Sequence, residues 1–328
     1  MTVPAEADPL PARAFRFGLG PAGLGGWQPG PALGADHWRR VAERAEDLGY
    51  HAVCFGDHLD SRPSPGPLAL MVTQWTDRLR GAVHVHANDF RHPGVLARDL
   101  ATMAMLSGGR LDAGLGAGWM PDDYRHLGIP FDPPATRLAR LADAARVVKA
   151  VWDQPAAIVD GDWYQVDGLP GRDLLGGAPR PRLVMGGGGP RMLALAAAEA
   201  DIVSVNVALD AGRLGPERGR TATAVATDRK LDVVRQAAGD RFDDLILQVE
   251  LHVVEITDDR PAALRRAATA LGLGIEDADA SPHVVVGSVD DICDQLKERR
   301  DRLGLSYVCL SADHAEQFAP VVARLAGT

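Results

Sequence analysis

The chain has 328 residues, enough for one large barrel or two ordinary domains. Hydrophobic residues make up 46%, which supplies a full core, and a formal net charge of -9 argues against broad nucleic-acid binding while leaving room for a local basic patch around a phosphate. The three cysteines, Cys54, Cys293 and Cys309, lie far apart in apolar patterns. That spacing argues against a disulfide framework or a zinc site and points to a reducing cytoplasm. No apolar run approaches the roughly 18 residues of a membrane span. Residues 1–12 have no basic residue followed by an apolar run, and read as a disordered leader rather than a signal peptide.

Short apolar strands alternate with longer helical stretches. Phe15–Leu19 is a first strand. Asp36 is placed to cap a helix with Trp38, Val41, Ala45 and Leu48 on its apolar face and Gly49 as its stop. Ala52–Phe55 is a second strand, followed by a weaker helix near Leu68–Thr76. Leu79–His86 is a third strand. Pro93 opens a helix that turns Leu96, Leu100 and Met103 inward and closes at Gly108-Gly109. Leu111–Leu115 is a fourth strand, and Arg137–Trp152 is a strong amphipathic helix.

Residues 155–180, rich in Gly, Pro and Asp, break the rhythm and read as a hairpin insertion and lid. Leu183–Met185 resumes as a fifth strand, and Gly186–Pro190 opens the next helix. Asp201–Val205 is a sixth strand, Leu245–Glu255 a seventh and Leu305–Leu310 an eighth. Ser288 with Asp291 forms a capping box for the helix between the last two. Eight β-α steps predict a single (β/α)8 TIM barrel over residues 13–328. A doubly wound open sheet is the alternative, but no GxGxxG turn follows the first strand.

Ligands of parallel α/β folds bind at the strands' C-terminal ends. Strand alternation puts Leu79, Gly81, Val83 and Val85 on one face of the third strand and Arg80, Ala82, His84 and His86 on the other. The apolar set meets the helices, so His84 and His86 point to the barrel axis. Asp57-His58 ends the second strand, and three histidines converge on one rim. A hydrogen-bonded structural histidine is the plain alternative for each. A metal site is disfavoured, because no HExxH occurs and no carboxylate stands at a ligand spacing. Gly186, Gly187, Gly188 and Gly189 leave bare N–H groups before a helix and suit a phosphate, where a tight turn alone needs fewer glycines. Gly116-Ala117-Gly118-Trp119 leaves space for a flat ring beside an indole, with a structural Trp119 as the plain alternative.

Taken together, these stretches resemble the bacterial luciferase-like superfamily of (β/α)8 flavin- and deazaflavin-dependent oxidoreductases. The resemblance runs through most of the chain. It rests on Asp57-His58, Asn88-Asp89-Phe90-Arg91-His92-Pro93, Leu106–Leu111, Gly116–Trp119, Gly186–Pro190 and Val286-Gly287-Ser288. The nearest branch depends on coenzyme F420, a 5-deazaflavin. The resemblance implies a ring in the barrel mouth contacted by Asp57, His84, Val85, His86, Asn88, Gly118 and Trp119, with Gly186–Gly189 on the phosphate side. It also implies a non-prolyl cis peptide behind the ring, at His84–Val85 when aligned without gaps back from Phe90. His58 matches the position near the reacting carbon.

The resulting expectation is hydride transfer at deazaflavin C5 to or from a small organic substrate, in the reductase sense, with His58 donating or accepting the proton. An FMN-dependent monooxygenase on the same fold is the alternative, and a non-catalytic flavin-binding barrel is a third reading of another class. Trp27, Leu59 and Trp119 are expected to wall the substrate pocket. Sugar-phosphate dehydrogenases of the group carry a glutamate where this chain has Trp119, which counts against a sugar phosphate. A cytoplasmic homodimer with no membrane or nucleic-acid partner completes the expectation.

Overall fold

The computed structural model describes residues 10–20, 34–59, 63–209 and 218–328. Strands β1 (Arg16–Gly20), β2 (Ala52–Phe55), β3 (Arg80–Ala87) and β4 (Leu111–Gly116) alternate with helices α1 (Ala35–Asp47), α2 (Pro65–Trp75) and α3 (Pro93–Ser107). Helices α4 (Pro121–Leu127) and α5 (Pro134–Asp153) follow, then a hairpin of β5 (Ala156–Asp160) and β6 (Gln165–Pro170). The chain continues through β7 (Arg182–Gly187), α6 (Pro190–Glu199), β8 (Ile202–Val205), α7 (Arg218–Ala222), α8 (Ala224–Ala238), β9 (Ile246–Glu250) and β10 (Val253–Ile256). It ends with α9 (Arg260–Leu271), α10 (Ile275–Ala280), β11 (Val284–Gly287), α11 (Val289–Leu303), β12 (Leu305–Ser311) and α12 (Ala315–Leu325).

Among the described residues, β1, β12, β9, β8, β7, β4, β3 and β2 close in that order into a barrel, the predicted (β/α)8 architecture. Packing divides the described residues into two compact units, one drawn mainly from 53–184 and the other from 185–328 together with 10–20 and 43–52.

In the first unit, α3 starts as its sequence dictates. The His92 ring accepts a hydrogen bond from Gly94 N, Pro93 takes the first helical position, and Gly108 ends the helix in the left-handed region at φ 63°. Gly81 faces α2 so closely that a Cβ there would overlap the Ala69 carbonyl. That contact confirms which face of β3 meets the helices. On the opposite face the buried Arg80 and Asp112 pair at 2.8 Å, and Arg182 of β7 closes on the same carboxylate at 2.8 Å. Burial opposes ionisation of Asp112, yet Arg182 and Arg80 hold it far below the usual carboxylate range. Within residues 155–180, β5 and β6 pair antiparallel; β5 packs against α5, and Leu169 reaches Gly94 at the head of α3.

Three local expectations are corrected. Asp36 lies inside the first turn of α1 instead of capping it. The stretch Leu245–Glu255 is not one strand. β10 leaves the barrel and pairs in parallel with β11, where Val253, Val284 and Val286 pack with Ala263, Leu264, Ala267 and Leu271 of α9. The switch sits at Leu251 and His252, whose N–H groups donate to Cys309 O and His283 O respectively. Helix α4, absent from the sequence reading, follows the glycine turn after β4. In the second unit the Ser288–Asp291 capping box forms as predicted. Cys54, Cys293 and Cys309 are buried and form no disulfide.

Candidate active site

The C-terminal end of β3 departs from regular pairing. Val83 stands opposite Ala113 and His86 opposite Leu115, so His84 and Val85 together face the single residue Gly114. This is a β-bulge, and the His84–Val85 peptide is cis, at the bond the resemblance implied. The bulge changes the face assignment. Val85 turns onto β4, where a Cβ at Gly114 or Gly116 would overlap its side chain. His86 falls in register with Leu115, on the helix side of β3 instead of the axis side. His84 and Val85 are the two partly exposed residues of the strand.

His86 belongs to a buried brace. Its Nδ1 lies 2.7 Å from Arg91 Nη1, and an arginine only donates, so the neutral ring accepts there and carries its proton on Nε2. Asp57 accepts from Arg91 Nη2 at 3.0 Å and from Ala87 N at 3.1 Å, and lies 3.5 Å from His86 Nδ1. Burial is the largest influence on both titratable groups. It pushes His86 below its ordinary pKa despite Asp57 nearby. For Asp57 burial acts upward, but its polar neighbours, the Arg91 guanidinium among them, outweigh it and hold the carboxyl below the usual range. Asp57 therefore pins the end of the bulged strand.

His58 follows β2. Its Nδ1 lies 2.8 Å from Asp123 Oδ2, while the other oxygen of Asp123 accepts from Leu59 N at 2.9 Å. The Trp119 ring stands edge-on to the imidazole, with centroids 5.3 Å apart and planes at 87°. Beneath Trp119 the glycine turn is clamped. Gly118 has φ 72°, and a Cβ there would overlap the Tyr124 hydroxyl. Tyr124 donates to Asp89 at 2.9 Å, and Arg137 donates to Gly118 O. Arg140 pairs with the same Asp89 at 2.8 Å. Burial and Asp89 push the Tyr124 phenol well above its ordinary range, so it remains a donor. Asn88 Nδ2 donates to Tyr164 of the hairpin at 3.0 Å.

In the second unit, Gly186–Gly189 leads into α6, with Gly189 as N-cap and no side chain capping it. Two of the four glycines have packing reasons. A Cβ at Gly186 would overlap Ser204 of β8, and one at Gly188 would overlap Ala208 and Val207. Gly189 has open space around it. The glycine run thus serves a close strand-to-loop approach as well as leaving a bare helix start.

A family model described as luciferase-like monooxygenase matches residues 19–306. The chain belongs to that family. An F420-dependent glucose-6-phosphate dehydrogenase of Amycolatopsis mediterranei (strain U-32) is 30% identical over 133 residues, 38% of this chain and 40% of that relative. The protein of the same name from Nakamurella multipartita is 28% identical over 242 residues, 70% of this chain and 66% of that relative. The chain therefore spans about two fifths of the first and two thirds of the second. Among solved structures, an F420-dependent secondary alcohol dehydrogenase in complex with an F420-acetone adduct superimposes with a TM-score of 0.70 at 16% identity, covering 95% of this chain and 99% of that one. That likeness establishes the shared fold.

Within this luciferase-like chain, the structure brings together His58 and Trp119 at one point, and Asp57 and His86 at another. Leu59 joins His58 through its backbone. Trp27 lies outside the described residues. Sequence reasoning missed Asp123, Arg91 as the partner of Asp57, and the glycines under Val85. A signal for α4 existed: Pro121 followed by Asp122-Asp123, with Gly128 as stop, has the form of a short helix. Nothing in the sequence tied Asp123 to a histidine 65 positions earlier. No helix among the described residues is long and apolar enough to cross a membrane.

Proposed function

We propose that this chain is an F420-dependent oxidoreductase that passes a hydride between the cofactor and a small organic substrate, in the reductase sense, with His58 handling the accompanying proton. The observation that carries this reading is the His58–Asp123 pair under the Trp119 edge at a strand end of a luciferase-like barrel. A bound deazaflavin supplies two-electron hydride chemistry at C5. The residues present suit a flat ring with polar edges. The half-buried His84 and Val85 form a raised surface on the bulge, backed by Gly114 and Gly116. Asn88 Oδ1 is buried without a protein partner among the described residues, which is the condition that a bound ligand or water relieves.

In this reading His84, Val85, Asn88, Gly118 and Trp119 contact the ring. Asp57 and His86 act on it through Ala87 and Arg91, because the two Asp57 oxygens and His86 Nδ1 are engaged there. In the second unit, Gly186–Gly189 offers the backbone N–H groups at the α6 start to a phosphate. Leu59, Trp119 and Trp27 wall the substrate. The relatives' names point to a sugar phosphate, but Trp119 offers an apolar edge and a single N–H beside His58. That chemistry favours a compact neutral carbonyl, imine, enone or alcohol. The protein works as a homodimer in a reducing cytoplasm, consistent with three buried cysteines without a disulfide; light scattering tests the dimer.

The test is anaerobic turnover, following deazaflavin absorbance with panels of enones, imines and ketones for reduced F420 and of alcohols for oxidised F420. Turnover that is lost in His58→Ala supports the reading. Oxygen uptake driven by reduced FMN, with F420 inert, replaces it by the monooxygenase. Tight F420 binding with no turnover on any panel marks a carrier.

A further inference from the structure

We propose that Asp123 is a positioning residue that holds His58 with its proton on Nδ1, so that Nε2 is the atom offered for reaction; this rests on the role given to His58 above. The assignment follows from donor and acceptor inventory. A carboxylate at this site only accepts, and it accepts twice: from Leu59 N at 2.9 Å and from the imidazole at 2.8 Å. The second bond requires a hydrogen on Nδ1. A neutral imidazole has one N–H, so its lone pair stands on Nε2.

The pair is also held in place. The Asp123 side chain is 6% exposed and that of His58 17%, so water competes little for either. Asp123 N donates to Met120 O, which fixes the backbone from which the carboxylate projects. Trp119 stands at 87° to the imidazole and leaves it little freedom to swing. His58 and Asp123 come from different elements, the end of β2 and the start of α4. The carboxylate therefore ties the loop after β2 to the helix after β4, and the same bond sets the tautomer. A carboxylate that orients an imidazole in this way acts through the histidine and touches no reacting atom.

A purely structural Asp123, needed only as acceptor for Leu59 N, predicts no effect on the tautomer. This separates the two roles in the cofactor-free protein. The experiment is nitrogen NMR of the full chain with labelled histidine, over neutral to alkaline pH, with His58 assigned by its loss in His58→Gln. The wild type is expected to show His58 protonated on Nδ1 with an unprotonated Nε2. In Asp123→Asn the amide offers an N–H to Nδ1, so the Nδ1-protonated fraction should fall several-fold in favour of Nε2–H. Asp122→Asn, which alters only the exposed pair with Arg125, should leave the pattern unchanged. A wild-type His58 protonated on Nε2 overturns the proposal, as does an Asp123→Asn spectrum identical to wild type. The wild-type spectrum decides the matter even if Asp123→Asn does not fold. If the NMR pattern holds while F420 does not bind, the functional reading fails and the positioning role stands.

Discussion

Asp57→Asn tests whether the brace behind the bulged strand matters as much as its geometry implies. The Asp57 side chain is 4% exposed, and it serves Arg91 and Ala87 N together. An asparagine has one acceptor oxygen. If it keeps Ala87 N, its NH2 group faces the Arg91 guanidinium, and if it turns, the Ala87 N–H loses its partner. A hydrogen bond to a charged group contributes about 1.5–3 kcal/mol, and an unsatisfied buried donor costs about 1–3 kcal/mol. Arg91 is 29% exposed, so water recovers part of that loss. The expected net destabilisation is about 2–4 kcal/mol, or a fall in Tm of roughly 5–15 °C at 2–4 °C per kcal/mol for larger domains. Asp57 has a folded pKa below its unfolded value, so its contribution is complete above the unfolded pKa near 4 and is lost as pH falls through the folded one. Urea unfolding at pH 7 and at successively lower pH should show a full gap between wild type and variant at pH 7 that shrinks below about pH 4. A gap under about 0.5 kcal/mol at pH 7, or one that persists unchanged in acid, would refute the reasoning.

Two further outcomes follow from other parts of the fold. Burial, then Arg218 and Lys230, lowers His252 to about 4, and burial, then His252, depresses its neighbour His283 as well. Both rings are neutral when folded, so stability is complete above the unfolded pKa near 6.5 and is lost as pH falls from there toward 4; for His252 this amounts to roughly 3 kcal/mol, and a urea midpoint that stays flat over this range contradicts it. Gly118→Ala should weaken F420 binding by displacing the turn, because its new Cβ meets the Tyr124 hydroxyl. Adding Tyr124→Phe should restore part of that loss, and strictly additive effects in the double-mutant cycle would show that the hydroxyl is not the obstacle.

The barrel was legible because each β-α step carries its own punctuation. Pro93 and Gly108 bound α3, and Ser288 with Asp291 opens α11, so each element is specified within a few residues. Legibility fails where two distant segments decide an outcome together. Leu245–Glu255 alternates like one strand, yet its N–H groups change partner at Leu251 and His252, and the apolar face of α9 draws β10 away from the barrel. Strand alternation placed His86 on the inner face because periodicity carries no record of the extra residue at His84–Val85. The bulge depends on Gly114 and Gly116 of the neighbouring strand, some thirty positions later.

The same division holds at the site. His58 and Trp119 could be singled out from their neighbours in sequence, but what they do to each other is set by α4, whose few apolar positions give no helical stripe. Asp123 meets His58 only because the turn after β4, clamped by Tyr124 and Arg137, delivers the start of α4 to the end of β2. The glycine run at 186–189 shows the converse. Four glycines suggested a ligand by number, and the structure gives Gly186 and Gly188 packing duties against β8 and the loop after it. What suits a phosphate there is the uncapped start of α6 more than the number of glycines.

The central claim is that this luciferase-like chain uses a deazaflavin. Equilibrium titration of the purified chain with F420 and with FMN, read by fluorescence under identical conditions, tests it most directly. The account predicts saturable F420 binding, weakened by Asn88→Ala and tighter than FMN binding. Saturable FMN binding with no response to F420 would contradict it.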